Sequence, residues 1–147
     1  MREAWFSALG DRVVDARVVD LFAGSGALGL EAASRGAAEV VLVERARSPA
    51  AVISANIGTL GAHDICSLIN DDVFRFLGRV SVPFDLALAD PPYETGDAAR
   101  LVERWIESPF AKELWLEHPF RESLTLPEGA RTRRYGDTAL STLTSPP

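Results

Sequence analysis

The sequence predicts an α/β fold of the Rossmann-like, doubly wound kind, with a mostly parallel sheet that ends in a C-terminal antiparallel hairpin. Three observations carry this prediction. Short apolar runs alternate with helical segments, a glycine-rich loop follows the first apolar run, and two β-type runs flank a Gly-Asp turn near the end of the chain. The length of 147 residues is that of one domain, so we expect a single domain over residues 1–147.

The elements follow one another in a regular order along the chain. Strands are predicted where apolar runs are short and nearly continuous, which is typical of parallel strands buried on both faces: Arg17–Phe22, Glu39–Val43, Ile65–Ile69, Phe84–Ala89 and Glu113–Leu116. Helices are predicted over Arg2–Leu9, Ala27–Ser34, Ser48–Leu60, Val73–Leu77 and Ala98–Ile106. Ser48 is the expected start of its helix, with Pro49 at the first helical position. The hairpin pairs Arg131–Tyr135 with Thr138–Thr144.

Composition excludes several classes of protein. No apolar run reaches the ~18 residues of a membrane span, and the single Cys66 excludes an internal disulfide and a thiolate-rich zinc site. We therefore expect a soluble, cytoplasmic protein with no membrane partner and no bound metal. Acidic residues outnumber basic ones by 21 to 15, for a net charge of −6, which argues weakly against a large polyanionic partner. Lys112 is the only lysine, so the positive charge is almost all arginine.

The loop after the first strand has the pattern G-x-G-x-x-G over residues 24–29. Glycines at these positions permit a tight turn and a close approach of a ligand to the backbone, and the following helix favours an anionic group. Glu44 ends the second strand, twenty residues after Gly24, where a carboxylate can accept hydrogen bonds from both ribose hydroxyls. Together the two features predict the binding of a nucleoside cofactor.

Acidic residues around this loop favour one cofactor over another. Dinucleotides and S-adenosylmethionine bind in the same geometry, but a pyrophosphate is anionic, whereas S-adenosylmethionine carries a sulfonium and an ammonium. Asp20 precedes the loop, where it could meet that ammonium, and Asp72 follows the third strand, where it could accept from an adenine amino group. Asp71 is an equally good candidate, and either residue could instead cap a helix. The charges favour S-adenosylmethionine without deciding the matter.

The tetrapeptide Asp90-Pro91-Pro92-Tyr93 follows the fourth strand. Its prolines stiffen the loop and remove two N–H donors, so the loop offers acceptors at the carboxyl edge of the sheet. The Asp90 carboxylate and the Pro91 carbonyl could hold the two N–H groups of an exocyclic amine, a poor nucleophile, so that its lone pair attacks a methyl sulfonium. Tyr93 offers a ring on which the extracted base can stack. The pattern predicts an amino-methyltransferase.

The chain resembles the bacterial 16S ribosomal RNA guanine-N2 methyltransferases, which act on the small subunit, depend on S-adenosylmethionine and have a Rossmann-like fold. The matching stretches cover nearly the whole chain: Arg2–Phe6, Val18–Ala37, Val40–Glu44, Asp85–Tyr93 and Arg133–Ser141. The glycine-rich run together with the Asp-Pro-Pro-Tyr loop and the terminal Tyr-Gly-Asp-Thr-Ala-Leu is specific. Members of the family usually carry a basic segment ahead of the first helix, so we expect the N-terminal segment of this chain to be short relative to the family.

The resemblance implies roles for individual residues. The methionine part of the cofactor, its ribose and its adenine would be held by the set Asp20, Phe22, Gly24, Ser25, Gly26, Glu44, Asp72 and Val73. Catalysis would fall to Asp90, Pro91 and Tyr93, and the substrate would be bound by Pro92, Tyr93, Arg133 and Arg134. The implied partner is ribosomal RNA or an assembling small ribosomal subunit, and we expect a monomer.

The same motifs are compatible with other functions. The same loop with Asp-Pro-Pro-Tyr would fit an amino-methyltransferase of DNA adenine or cytosine. A nicotinamide-dependent oxidoreductase would use the same glycine pattern, although the sequence offers no Tyr-Lys or His-carboxylate arrangement for it. A third alternative is a domain that binds the cofactor or RNA without turnover.

Overall fold

All strands of the computed structural model join one seven-stranded sheet, in the order β3-β2-β1-β4-β5-β7-β6. The structure describes residues 1–146. The strands are β1 (Arg17–Leu21), β2 (Glu39–Val43), β3 (Cys66–Ile69), β4 (Phe84–Ala89), β5 (Ala111–Pro119), β6 (Arg131–Tyr135) and β7 (Thr138–Thr144). The first five are parallel, and β7 runs antiparallel to both β5 and β6. The predicted mostly parallel sheet with a C-terminal antiparallel hairpin is confirmed.

Helices cover both faces of this sheet. They are α1 (Arg2–Leu9), α2 (Ala27–Ser34), α3 (Arg47–Thr59), α4 (Val73–Leu77) and α5 (Asp97–Glu107), and a short 3₁₀ helix follows α1. Residues of α1, α2 and α3 share one hydrophobic cluster with β1, β2 and β4, whereas α4 and α5 pack into a second cluster on the opposite face. No helix within residues 1–146 is long and apolar enough to span a membrane.

Several boundaries differ from the predicted ones. Helix α3 begins at Arg47, one residue before the predicted start, and its N-cap is Ala46, which makes no side-chain capping bond. Pro49 is therefore the third residue of the helix, where a missing N–H is still harmless because the first four N–H groups have no partner within the helix. Strand β5 is nine residues long rather than four, because its pairing with β7 continues to Pro119.

The parallel register fixes which side chains meet at the carboxyl edge of the sheet. Asp20 lies beside Leu88 of β4, and Ala89 lies beside Leu116 of β5. Extending the second pair by one residue places Asp90 next to Glu117. Since side chains on a strand alternate between faces, Asp20 and Asp90 point to the face covered by α1, α2 and α3. This edge is the switch point of the doubly wound sheet, where such folds bind their ligands.

Candidate functional site

A cleft of about 330 Å³ opens at this edge of the sheet. That volume is within the range of small-molecule sites, about 300 to 1,000 Å³. Its lining is strongly acidic and comes from the ends of β1, β2, β3 and β4 and from α4 and α5: Phe22, Gly24, Val43, Glu44, Arg45, Asp71, Asp72, Val73, Phe74, Asp90, Pro92, Asp97 and Arg100.

The glycine-rich loop starts with two residues in the left-handed conformation. Phe22 has a φ of 58°, and Gly24 has the same value. A positive φ is rare for a phenylalanine and marks backbone strain, which concentrates at functional sites. The Phe22 ring lines the cleft and meets the ring of Phe74 edge-on, with their centroids 6.2 Å apart. The loop therefore presents an aromatic wall together with the backbone of Gly24.

The Glu44 side chain links the end of β2 to this loop by hydrogen bonds. Its Oε1 accepts a hydrogen bond from Gly24 N at 2.8 Å, and its Oε2 accepts one from Ala46 N at 2.8 Å. Asn70 also donates to the carbonyl oxygens of Glu44 and Arg45, at 2.8 and 3.1 Å. The carboxylate is thus held in place by backbone donors, with further lone pairs available for hydroxyl groups in the cleft.

Asp20 lies behind the loop rather than in the wall of the cleft. It is 1% exposed, and its Oδ2 accepts a hydrogen bond from Gly29 N in α2 at 2.8 Å. The pKa of the Asp20 carboxyl group is raised to about 8, chiefly by burial; the Gly29 N–H opposes this rise, and the negative charges of Asp90 and Glu44 contribute to it. Whether Asp20 contacts a bound cofactor stays a prediction.

Two other predicted residues also lie outside the cleft. Ser25 lines a separate shallow groove between α2 and α3, and Gly26 is the N-cap of α2. A Cβ at Gly26 would lie 3.1 Å from Ile53 and 3.2 Å from Leu42, so this glycine is needed for the packing of α2. Their roles as cofactor ligands remain predictions.

The sequence left open whether Asp71 or Asp72 faces a bound adenine, and whether either residue caps a helix. Asp72 is the N-cap of α4, and its Oδ2 accepts from Arg75 N at 3.0 Å, yet it also lines the cleft. Asp71 is bound to Arg79 at 2.6 Å, so its charge is largely compensated. Val73, buried at 4% exposure, lines the cleft beside Asp72. Asp72 is therefore the carboxylate of the two that is free of an ion pair among the described residues.

The loop after β4 places its acceptors at the mouth of the cleft. Asp90 and Pro92 line the cleft, while Pro91 is buried. The Pro92 carbonyl accepts from Thr95 Oγ1 at 3.0 Å, which braces the loop. Tyr93 is 47% exposed, and its hydroxyl lies 3.4 Å from Thr138 Oγ1 at the start of β7. The loop is thus joined to the C-terminal hairpin, with the Tyr93 ring open to a ligand.

Asp90 has an unusual electrostatic environment. The pKa of its carboxyl group is raised to about 6, first by desolvation and then by the charge of Glu117 and a hydrogen bond with that carboxyl group. Glu117 is 8% exposed and accepts a hydrogen bond from Trp5 Nε1 at 2.7 Å. Glu117 is not among the site residues predicted from the sequence, although its position one residue past the predicted fifth strand indicates the carboxyl edge of the sheet.

Arg133 and Arg134 lie on opposite faces of the sheet, because neighbouring residues on a strand alternate. The Arg133 guanidinium lies 5.8 Å from the Trp115 ring on the face covered by α1. The Arg134 guanidinium lies 4.0 Å from the Phe120 ring, and its Nε donates to Gly136 O at 2.8 Å. The structure therefore separates two residues that the sequence placed in one group.

Comparison with known proteins assigns the chain to a family. The model of the family described as Conserved hypothetical protein 95 matches residues 1–143. The chain belongs to this family. In Escherichia coli (strain K12), Ribosomal RNA small subunit methyltransferase D is 40% identical over 96 residues, which is 65% of this chain and 48% of that protein. The predicted resemblance to the small-subunit methyltransferases is confirmed.

The fold of this chain is also similar to that of solved structures over nearly its whole length. A hypothetical protein of Thermus thermophilus has a TM-score of 0.84 and 33% identity, covering 98% of this chain and 84% of that one. Magnesium protoporphyrin IX methyltransferase of Synechocystis, at 18% identity and a TM-score of 0.68, shares the fold alone, covering 97% of this chain and 76% of that one. The chain spans about half the length of the curated relative from Escherichia coli.

Gly29 offers a direct test of how tightly the loop and α2 are packed. A Cβ there would lie 2.8 Å from Leu42 Cδ2 and 3.1 Å from Asp20 Oδ2. We expect Gly29→Ala to lower the free energy of unfolding by about 2 kcal/mol, because a close-packed core yields little to an added methyl group. Urea unfolding would measure the loss.

Gly58→Ala is the matched control for this substitution. Gly58 is an exposed residue of helix α3, and its Cβ would meet only His63 Nε2 at 3.8 Å. We expect this variant to gain ~0.5–1 kcal/mol, since alanine is favoured over glycine within a helix. Equal effects of the two substitutions would contradict the packing described for Gly29.

Proposed function

We propose that this protein is an S-adenosylmethionine-dependent methyltransferase that modifies an exocyclic amino group of a nucleobase, most specifically guanine N2 in 16S ribosomal RNA. The observation that carries the proposal is the Asp90–Tyr93 loop at the mouth of the cleft that Gly24 and Glu44 also line. A nucleoside cofactor and a base acceptor would thereby meet at one edge of the sheet. The names of the relatives, rRNA small subunit methyltransferases, support ribosomal RNA as the substrate class.

The charges of the cleft support a cationic cofactor. Four carboxyl groups, those of Glu44, Asp72, Asp90 and Asp97, line it without an ion pair among the described residues, against two arginines in the lining. A pyrophosphate would be repelled by such a lining, whereas a sulfonium and an ammonium are stabilised there. The Glu44 carboxylate, fixed by two backbone N–H groups, is proposed to accept hydrogen bonds from the ribose hydroxyls. Asp72 and Val73 are proposed to contact the adenine ring. Phe22, Gly24, Ser25, Gly26 and Asp20 are proposed for the methionine part.

The chain's own groups would prepare the base for reaction. When bound, S-adenosylmethionine supplies an electrophilic methyl group on a sulfonium. The Asp90 carboxylate and the Pro91 carbonyl would accept the two N–H groups of the amine, which turns its nitrogen lone pair towards the cleft. Tyr93, joined to Thr138, would stack on the base, while Pro92 limits its position. Catalysis would come from positioning and electrostatics, with no covalent intermediate on the protein.

Substrate binding would extend from the loop to the C-terminal hairpin. All five residues of β6 carry polar or aromatic side chains, and its three arginines, Arg131, Arg133 and Arg134, are exposed. Arginine suits phosphate and base contacts because its donors form a planar fork. We propose that these residues give local positive charge for RNA, in naked form or in an assembling small subunit, in a chain whose net charge is −6.

Two measurements test this function. Calorimetric titration should give micromolar binding of S-adenosylhomocysteine and none of NADH, because the acidic cleft excludes a pyrophosphate. Incubation with tritiated S-adenosylmethionine and small ribosomal particles lacking base methylation should then label the RNA, and nuclease digestion should yield N2-methylguanosine. Binding of NADH in preference would indicate an oxidoreductase. Labelled adenine or cytosine in DNA would keep the chemistry and change the substrate.

A further inference from the structure

The side chain of Glu117 is a buried acidic group that the proposed mechanism leaves without a role. It is 8% exposed on β5, on the same face of the sheet as Trp115 and beneath helix α1. Burying a carboxyl group costs free energy unless it is hydrogen-bonded. One bond comes from Trp5 Nε1, at 2.7 Å, and joins two residues 112 positions apart in the chain.

The position of Glu117 is set by the register of the sheet. Ala89 pairs with Leu116, so the next residues on the two strands, Asp90 and Glu117, are neighbours at the carboxyl edge. Their side chains point to the same face. At this spacing the Glu117 carboxyl group is close enough to raise the pKa of Asp90, through its charge and a hydrogen bond, in addition to the effect of burial. Trp5 holds Glu117 from the other side, so the orientation of the Asp90 carboxyl group depends on an indole in the N-terminal helix.

We propose that Glu117 is a positioning residue for Asp90: fixed by Trp5 and placed on the neighbouring strand, it orients the Asp90 carboxyl group at the carboxyl edge of the sheet. The inference rests on the proposed function, in which Asp90 accepts hydrogen bonds from the substrate amine. A neutral Asp90 would present an O–H to that amine and could accept fewer bonds. Glu117 thus sets the lower limit of the pH range in which the loop can hold its substrate.

Other titratable groups lie around the cleft or on the same face of the sheet and are unchanged by the test. They come from several elements: Asp20 on β1, Glu44 after β2, Asp72 before α4, Asp97 and Arg100 on α5, and Arg133 and Tyr135 on β6. None of them is hydrogen-bonded to Glu117 within residues 1–146. Its place next to Asp90 in the sheet therefore distinguishes Glu117 from the general acidity of the cleft.

The variant Glu117→Gln tests the proposal without a change of shape. Its amide oxygen can still accept from Trp5, but the second ionisable carboxyl group beside Asp90 is gone. We expect the midpoint of the Asp90 carboxyl titration, followed by ¹³C NMR and assigned with Asp90→Asn, to move down by about one pH unit or more. The acidic limb of kcat for methyl transfer should move by the same amount, with unchanged affinity for S-adenosylhomocysteine.

Glu113→Gln is the matched control. Glu113 lies on the same strand and accepts from Trp115 Nε1 at 2.8 Å, but it pairs with Leu86, four residues before Asp90. Neither midpoint should move in this variant. An unchanged Asp90 midpoint in folded Glu117→Gln, checked by thermal melting, would overturn the proposal, as would an equal shift in Glu113→Gln. The NMR titration needs no activity, so an absence of methyl transfer by the wild type would refute the proposed function and not the pairing.

Discussion

Replacing Asp90 with asparagine is expected to lower the rate of methyl transfer by a factor of about 10²–10³, because the substrate amine would lose the anionic acceptor that orients it. The amide presents two donors to a group that itself needs acceptors. Affinity for S-adenosylhomocysteine should stay within about twofold, since the loss concerns the base side of the cleft. Single-turnover methylation of small ribosomal particles and calorimetry with S-adenosylhomocysteine would measure the two effects separately.

Asp85→Asn is the control for this experiment. Asp85 lies near the start of β4, the strand that leads into Asp90, where it accepts a hydrogen bond from Arg17 N at 2.8 Å and forms an ion pair with Lys112 at 3.1 Å. These partners hold the pKa of the Asp85 carboxyl group below its usual range, so the substitution should reduce stability and leave transfer intact. Retention of full transfer by Asp90→Asn would remove the role proposed for the loop.

The sequence was sufficient for the parts of this molecule that depend on local patterns. The alternation of apolar runs indicated the succession of strands along the chain, and the turn residues Gly136 and Asp137 marked the hairpin. The glycine loop, Glu44 and the Asp-Pro-Pro-Tyr tetrapeptide were found as motifs, and the cleft lining contains residues from each. Such signals are local because they depend on backbone conformation, which few residue types can adopt.

Contacts between residues far apart in the sequence could not be predicted, because they depend on the register between strands. The place of Glu117 next to Asp90 and its hydrogen bond with Trp5 arise only once β5 pairs with β4 and α1 packs on the sheet. Similarly, Arg133 and Arg134 are adjacent in sequence, but the alternation of a strand sends them to opposite faces. Burial of Asp20 behind its loop also follows from the packing of α2 against Leu42, which no pattern along the chain reveals.

Asp20→Asn is expected to make the protein more stable and its cofactor binding weaker. The amide oxygen can still accept from Gly29 N, and the variant has no charge to bury. Burial raises the pKa of Asp20 from 3.8 to about 8 in the folded state. Between these values the folded protein holds a proton that the unfolded chain has released, so stability falls as pH rises from about 4 and levels off above about 8.

The stability difference between wild type and Asp20→Asn should therefore grow as the pH rises. At pH 4 wild type and Asp20→Asn should unfold at similar urea concentrations. At pH 8 the variant should be more stable by on the order of 5 kcal/mol, because it lacks the cost of ionising a buried carboxyl group. Urea titrations at both pH values measure the change, and a parallel pH dependence of the two proteins would contradict the burial of an ionisable Asp20.

The affinity for the cofactor should fall in Asp20→Asn, although the stability of the protein rises. A bound cation near the loop favours the ionised form of Asp20, so the wild type should release a fraction of a proton on binding S-adenosylmethionine at pH 7. Calorimetry in two buffers of different ionisation enthalpy would detect that proton, and Asp20→Asn should show none and bind about tenfold more weakly. If the variant binds as tightly as the wild type, Asp20 acts only through its bond to Gly29. The carboxyl group would then serve the packing of α2 alone, a task that an asparagine performs with the same bond and without the cost of a buried charge.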